Sequence, residues 1–240
     1  MIFRQVLRSE TGCAAYVFGC GGQGRAAVVD PQFDVDDYIA IASARGMKIE
    51  AILCTHVHAD HRSGERELSE RTGAPIYYHR SADIRYPFTA IDDGSEISLG
   101  NVVVRALHTP GHTPESTSYL VTDRTRCSEP WMVFTGDTLF VGDVGRSDFG
   151  GETAAGDLFT SLHETLLVLP DYVEVYPAHI SGSPCGRSMS GKPSSTIGFE
   201  RRHNPSLLES DRGRFIEAMT GLQPPRPAGF FETIAMNRGG

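Results

Sequence analysis

Cysteine is sparse and badly spaced for bridging. Cys13, Cys20, Cys54, Cys127 and Cys185 are odd in number and scattered, so neither a disulfide framework nor a structural zinc cluster is suggested, and a reducing compartment fits them. Long apolar runs are missing too. No stretch nears the ~20 apolar residues a membrane span requires, and the opening "MIFRQVLRSETGCAAYVFG" has no basic segment followed by a long apolar core. A cytoplasmic protein without membrane contact is the expectation. Positive charge is not in excess either: the formal net charge of −8 argues against broad nucleic-acid binding, and the basic pair Arg201 and Arg202 reads as a solvated helix face. No clean internal repeat is present.

What the chain does have is length enough for one large domain with a substantial core, since it runs to 240 residues. "IFRQVLRS", "AAYVFG" and "RAAVVD" read as an opening antiparallel meander, after which Val35, Tyr38, Ile39 and Ala42 take up helical spacing that Gly46 can end. "KIEAILCT" then predicts a strand, Gly64 to Arg71 a short helix, and "APIYYH" a return to β structure. Further strands are expected at "STSYLV", "WMVFTGD" and "YVEVYPAH", with a helix over 154–169 whose leucines at 158, 162, 166 and 169 share a face. Strand runs bracketed by helices suggest two packed sheets covered by helices. "SGSPCGRSMSGKPSS" is a loop by its turn chemistry, "TIGFERRHNPSLLESDRGRFIEAMTG" carries two short helices broken at Pro205, and residues 223–240 read as a Pro-rich tail or linker beyond a domain of residues 1–222, or equally as a packed C-terminal arm in which Phe230, Phe231, Ile234 and Met236 cover apolar surface.

The stretch "CTHVHADHRSG" is the densest chemistry in the chain. His56, His58, Asp60 and His61 follow a strand directly, and burying each such group without a partner costs about 2 kcal/mol or more, so a metal ion is the economical explanation. His112, Asp137 and His179 follow three further strands, and neighbouring strand ends can converge on one point. Imidazole and carboxylate ligands suit zinc, iron or manganese, with zinc first by ligand type alone. Asp137 can bridge two metals or complete the set around one, and Gly111 and Gly136 give the backbone room to turn beside the ion.

Taken together, H-x-H-x-D-H at His56 to His61, "TPGHT" with His112, "TGDTLF" with Asp137 and "YPAH" with His179 resemble the metallo-β-lactamase superfamily over most of residues 1–180. The resemblance implies an α/β fold, the four-layer αβ/βα sandwich, with the metal site along one edge of the sheets. Within that superfamily "GDTLFVGDVGRSDF", "YPAHISGS" and "SSTIGFERRHNP" look most like persulfide dioxygenases, including rhodanese-fused forms, and glyoxalase II is the near relative. The dioxygenase resemblance implies one Fe(II) per chain on His56, His112 and Asp137, with His58, Asp60, His61 and His179 as neighbours or second-metal ligands. It further implies glutathione persulfide and O2 as substrates, with sulfite and glutathione as products. The glyoxalase resemblance implies instead two Zn(II) per chain and hydrolysis of hydroxyacyl-glutathione thioesters. A sulfur-binding module serving a rhodanese partner is a third reading, and a homodimer is an assembly the sequence allows.

Several residues outside the ligand set carry expectations. Arg146 has the planar donors for bidentate contact with a substrate carboxylate, or for a structural pair with Asp143 or Asp148. Lys192, in "SGKPSS" near an expected helix start, suits an anionic glutathione carboxylate. Cys185 can relay sulfane sulfur if its thiolate is populated, or be an inert loop cysteine. Cys54 and His108 read as structural, and His79, His163 and His203 show no partner pattern.

Overall fold

The computed structural model describes residues 1–221, 225, 226 and 229–240, so the 222/223 boundary expected between domain and tail lies outside the described residues. Six strands make the first sheet: β1 (Ile2–Arg8), β2 (Cys13–Cys20), β3 (Arg25–Val29), β4 (Lys48–Leu53), β5 (Ile76–His79) and β6 (Thr89–Ile91), hydrogen-bonded in that order. The opening meander is antiparallel as far as β3, and β3 through β6 run parallel. Parallel neighbours need crossovers, which α1 (Asp36–Ser43) and α2 (Glu65–Thr72) supply. The second sheet is built from β7 (Glu96–Leu99), β8 (Val102–His108), β9 (Thr117–Asp123), β10 (Met132–Gly136), β11 (Glu174–Pro177) and β12 (Ser195–Thr196). β10 and β11 are parallel, joined through α3 (Gly151–Thr160), and α4 (Ile197–His203), α5 (Arg212–Thr220) and α6 (Phe230–Arg238) complete the chain.

Alternation along the strands divides the core into three. On β2, Ala14, Tyr16 and Phe18 face the other sheet and meet Phe134 and Tyr119, whereas Ala15 and Val17 face Tyr38 and Leu68 of the first helical layer. Beyond the second sheet, Val133 and Val175 pack on Leu158, Leu162 and Phe215. Helix, sheet, sheet and helix are thus stacked as the four-layer αβ/βα sandwich. α3 starts at Gly151, three residues earlier than its leucine spacing indicates. After Thr160 it widens into a π-helical stretch, Ser161–Leu166, which keeps Leu158, Leu162 and Leu166 fully buried. Among the described residues no helix is long and apolar enough to cross a membrane.

The segment read as a tail carries α6. Phe230 and Asn237 of this helix are buried against the body of the protein, while Phe231 and Met236 stay exposed.

Candidate metal centre

Four strand ends deliver the polar cluster. β4 runs into Thr55 and His56, β8 into the loop bearing His112, β10 into Asp137 and β11 into His179. Gly136 permits the turn before Asp137: its φ is +54°, and a Cβ there would sit 2.7 Å from the Thr55 side chain. Gly111, at φ +134°, would bring a Cβ to 2.5 Å of Leu158. Asp30, at the end of β3, accepts from the Thr55 backbone N–H and hydroxyl at 2.7 Å each. Glu115 accepts from the Val57 N–H at 3.0 Å, so the loop between His56 and His58 is fixed from both sheets.

His56, His112 and Asp137 form one tight group. Asp137 Oδ2 lies 3.7 Å from His56 Nε2 and 3.5 Å from His112 Nε2, and it is buried with no hydrogen-bond partner among the described residues. Bonds of about 2.0–2.2 Å to a first-row ion put its ligand atoms roughly 3–4 Å apart, so the three residues fit such an ion. Burial and the neighbouring His58 hold the His56 pKa well below the usual imidazole value, leaving the neutral ring that coordination requires. His112 donates from Nδ1 to the Arg146 carbonyl at 2.9 Å, which leaves Nε2 as the ligating atom. Burial works to raise the Asp137 pKa, but the charge on His179 outweighs it and keeps the carboxylate ionised.

The remaining neighbours form a different group. Cys13, Asp60, His61 and His179 place one donor atom each within 4.8 Å of one another. His179 Nδ1 donates to Asp137 Oδ1 at 2.6 Å, and Nε2 lies at ion-pair distance, 2.9 Å, from Asp60 Oδ2 without forming a hydrogen bond. Burial would lower its pKa, yet Asp137 and Asp60 push it well above the ordinary value. His61 is likewise raised to about 10, with burial opposed by its contact with Asp60, 3.1 Å away. The Cys13 thiol, despite burial, is drawn down to about 6 by His179 and His61. His58 falls in neither group; its Nε2 is 3.5 Å from Asp30, and its ring lies between those of His56 and His61.

A cavity of about 460 Å³ opens beside His112. Phe149, Phe230 and Ile234 give it an apolar wall, and Arg226 and Arg238 give it positive charge. Arg146 does not take the role of carboxylate contact expected of it. Its guanidinium is buried and bound bidentately to Asp148, at 2.7 and 3.0 Å, with a further bond to the Pro184 carbonyl at 3.2 Å. Lys192 also departs from expectation: it is exposed and does not line this cavity, and the next helix is capped by Thr196, whose hydroxyl accepts from Phe199 N–H at 3.2 Å. Cys185 does approach Asp137 and His179, but burial pushes its thiol up to about 12. Cys54 is buried, and His108 stacks on His79 with centroids 3.7 Å apart.

Sequence reasoning passed over Cys13, Asp30, Glu115 and Asn237. Asp30 had the strand-end signal of the other ligands, and Glu115 sits in the same loop as His112. Asn237 donates to the His58 and His61 carbonyls at 2.9 Å each and accepts from Ser63 N–H at 3.0 Å, contacts that no local pattern announces.

The model of the metallo-beta-lactamase superfamily matches residues 8–179. A metallo-beta-lactamase from Staphylococcus aureus has a solved structure that superposes with a TM-score of 0.92 at 34% identity, over 99% of this chain and 72% of that one. ETHE1 from Myxococcus xanthus gives 0.87 at 34% identity, covering 99% and 98%. The bovine persulfide dioxygenase ETHE1 is 28% identical over 239 residues, 95% of this chain and 84% of that protein.

Proposed function

Because the chain belongs to the metallo-beta-lactamase superfamily, we propose that it is a persulfide dioxygenase with one Fe(II) on His56, His112 and Asp137. The net reaction is RSSH + O2 + H2O giving RSH + sulfite + 2H⁺, in which sulfane sulfur loses four electrons to dioxygen and the carrier thiol is released. The observation that carries this reading is the group of His56, His112 and Asp137: Asp137 Oδ2 lies within 3.7 Å of both imidazole Nε2 atoms and has no hydrogen-bond partner among the described residues, while Oδ1 is bonded to His179. Likeness to the bovine and Myxococcus ETHE1 proteins supports the same choice.

Iron on two histidines and a carboxylate supplies redox chemistry with open coordination positions for sulfur and oxygen. The chain's own residues do the rest. The Arg146 carbonyl fixes which His112 nitrogen points inward, and His179 fixes the plane of the Asp137 carboxylate. The apolar wall of Phe149, Phe230 and Ile234 keeps water from the reacting sulfur, and Arg226 matches a carboxylate of a glutathione carrier.

The test is oxygen uptake and sulfite formation by anaerobically iron-loaded protein given glutathione persulfide. One iron per chain with stoichiometric sulfite is expected. No uptake, together with hydrolysis of a hydroxyacyl-glutathione thioester by a form holding two zincs, would replace this reading with the thioesterase.

A further inference from the structure

Two ligand-bearing loops from different sheets are tied to α6, one directly and one through an intervening ring. The loop after β4 is held by Asn237, whose three hydrogen bonds to His58, His61 and Ser63 reach across at least 174 residues of sequence. The loop after β8 is reached through rings: Phe230 packs on Phe149 with centroids 4.9 Å apart, and Phe149 meets the His112 ring edge-on at 5.6 Å. Between these two anchorages, Phe230, Phe231, Ile234 and Arg238 line the cavity beside His112.

The helix is fastened at its far end as well. The Arg238 carbonyl accepts from Arg85 N–H at 2.8 Å, and its guanidinium pairs with Asp83 at 3.1 Å. Asn237 itself is 4% exposed, so its amide is committed to the loop rather than shared with solvent. Asparagine suits the position because one side chain provides both the two donors for the carbonyls and the acceptor for the N–H. Aspartate has the acceptor alone.

We propose that α6 is a working part of the metal centre, with Asn237 as the positioning residue that sets the metal loop while the same helix roofs the substrate cavity. The hold on the metal therefore depends on a helix that contributes no ligand. This inference needs a metal on His56 and His112 but does not depend on which reaction follows.

Cobalt-loaded protein tests it, because the visible spectrum reports ligand geometry and transfer to a chelator reports retention. Asn237→Asp and Asn237→Ala should release cobalt about 10- to 100-fold faster than wild type, the range usual for a lost ligand-orienting partner, and should shift the spectrum. Met236→Ala alters the exposed face of the same helix and should change neither. Should either Asn237 variant misfold, Ser63→Pro removes the N–H that Asn237 accepts and puts a ring carbon against its Oδ1, so the amide is pushed off the loop and the same clamp is read a second way, with the same acceleration and spectral shift expected. Wild-type spectra and release rates in the Asn237 variants would overturn the proposal. Equal acceleration by Met236→Ala would overturn it too, by making helix stability the only cause.

Discussion

Replacing His179 by alanine removes the side chain that joins two buried carboxylates. His179 is fully buried, 2.6 Å from Asp137 Oδ1 and 2.9 Å from Asp60 Oδ2, and those acids hold it charged. A hydrogen bond to a charged group contributes about 1.5–3 kcal/mol, and removing one partner of a buried ion pair costs about 3–5 kcal/mol, so losing His179 costs the metal-free protein roughly 3–6 kcal/mol. In a chain of this size one kcal/mol moves Tm by about 2–4 °C, so a loss of ~4 kcal/mol lowers it by roughly 8–16 °C. Adding Asp60→Asn to His179→Ala should lower Tm further, because Asp60 Oδ1 still holds His61 Nδ1 at 3.1 Å once His179 is gone. Thermal unfolding of wild type, both single variants and the double variant measures the coupling. Asp137 Oδ2, His56 and His112 remain, so the His179 variant should still take one iron per chain, with affinity weakened ~10–100-fold. The reasoning fails if Tm falls by less than ~2 °C, or if wild type binds two metals and the variant one, which would make His179 a ligand.

Asp137→Ala should abolish iron binding and oxygen uptake together, whereas His61→Ala should keep most of its iron, and elemental analysis of the two separates a ligand from a neighbour. Arg146→Lys replaces a buried bidentate pair with Asp148 by a point charge, so Tm should fall by several degrees and turnover should drop equally for glutathione persulfide and for a small persulfide lacking carboxylates. A loss confined to the glutathione substrate would reinstate Arg146 as a carboxylate contact. In the metal-free protein, His61 rises from 6.5 to about 10 on folding. A raised folded pKa stabilises fully below the unfolded value and is lost as pH climbs through the folded one, so apoprotein Tm should decline between pH 7 and 10, and His61→Gln should flatten that decline. An equally steep decline in the variant would assign the effect elsewhere.

The layers were legible because strands leave a period of two and helices a period near 3.6. Val17 and Phe18, adjacent on β2, go to opposite cores for that reason, and Leu158, Leu162 and Leu166 share a buried face. The start of α3 was less legible, since glycines at 150, 151 and 156 carry little helical preference and packing on the second sheet decides the boundary. Arg146 shows a different limit. Its residue type announces a carboxylate partner, but the type cannot say whether that carboxylate belongs to a substrate or to Asp148, two positions on.

α6 was half legible: its apolar residues allowed a packed arm but announced neither the helix nor its bonds. Its sequence, "FFETIAMNR", places apolar side chains on both its buried and exposed faces, so periodicity gives no reason to expect it to dock. What docks it is a set of long-range bonds from Asn237 and Arg238 and a ring contact from Phe230, none of which leaves a local trace. The histidine cluster has the opposite character. His56, Asp60 and His61 are close in sequence, yet the fold divides them between a face with His112 and Asp137 and a separate group with Cys13 and His179, and a bond from His179 Nδ1 to Asp137 Oδ1 joins the two groups. That bond commits Asp137 Oδ1 and leaves Oδ2 without a hydrogen-bond partner among the described residues. The motif therefore brings the ligands to the site, and an interaction between the ends of β10 and β11 fixes the plane in which the carboxylate is presented there.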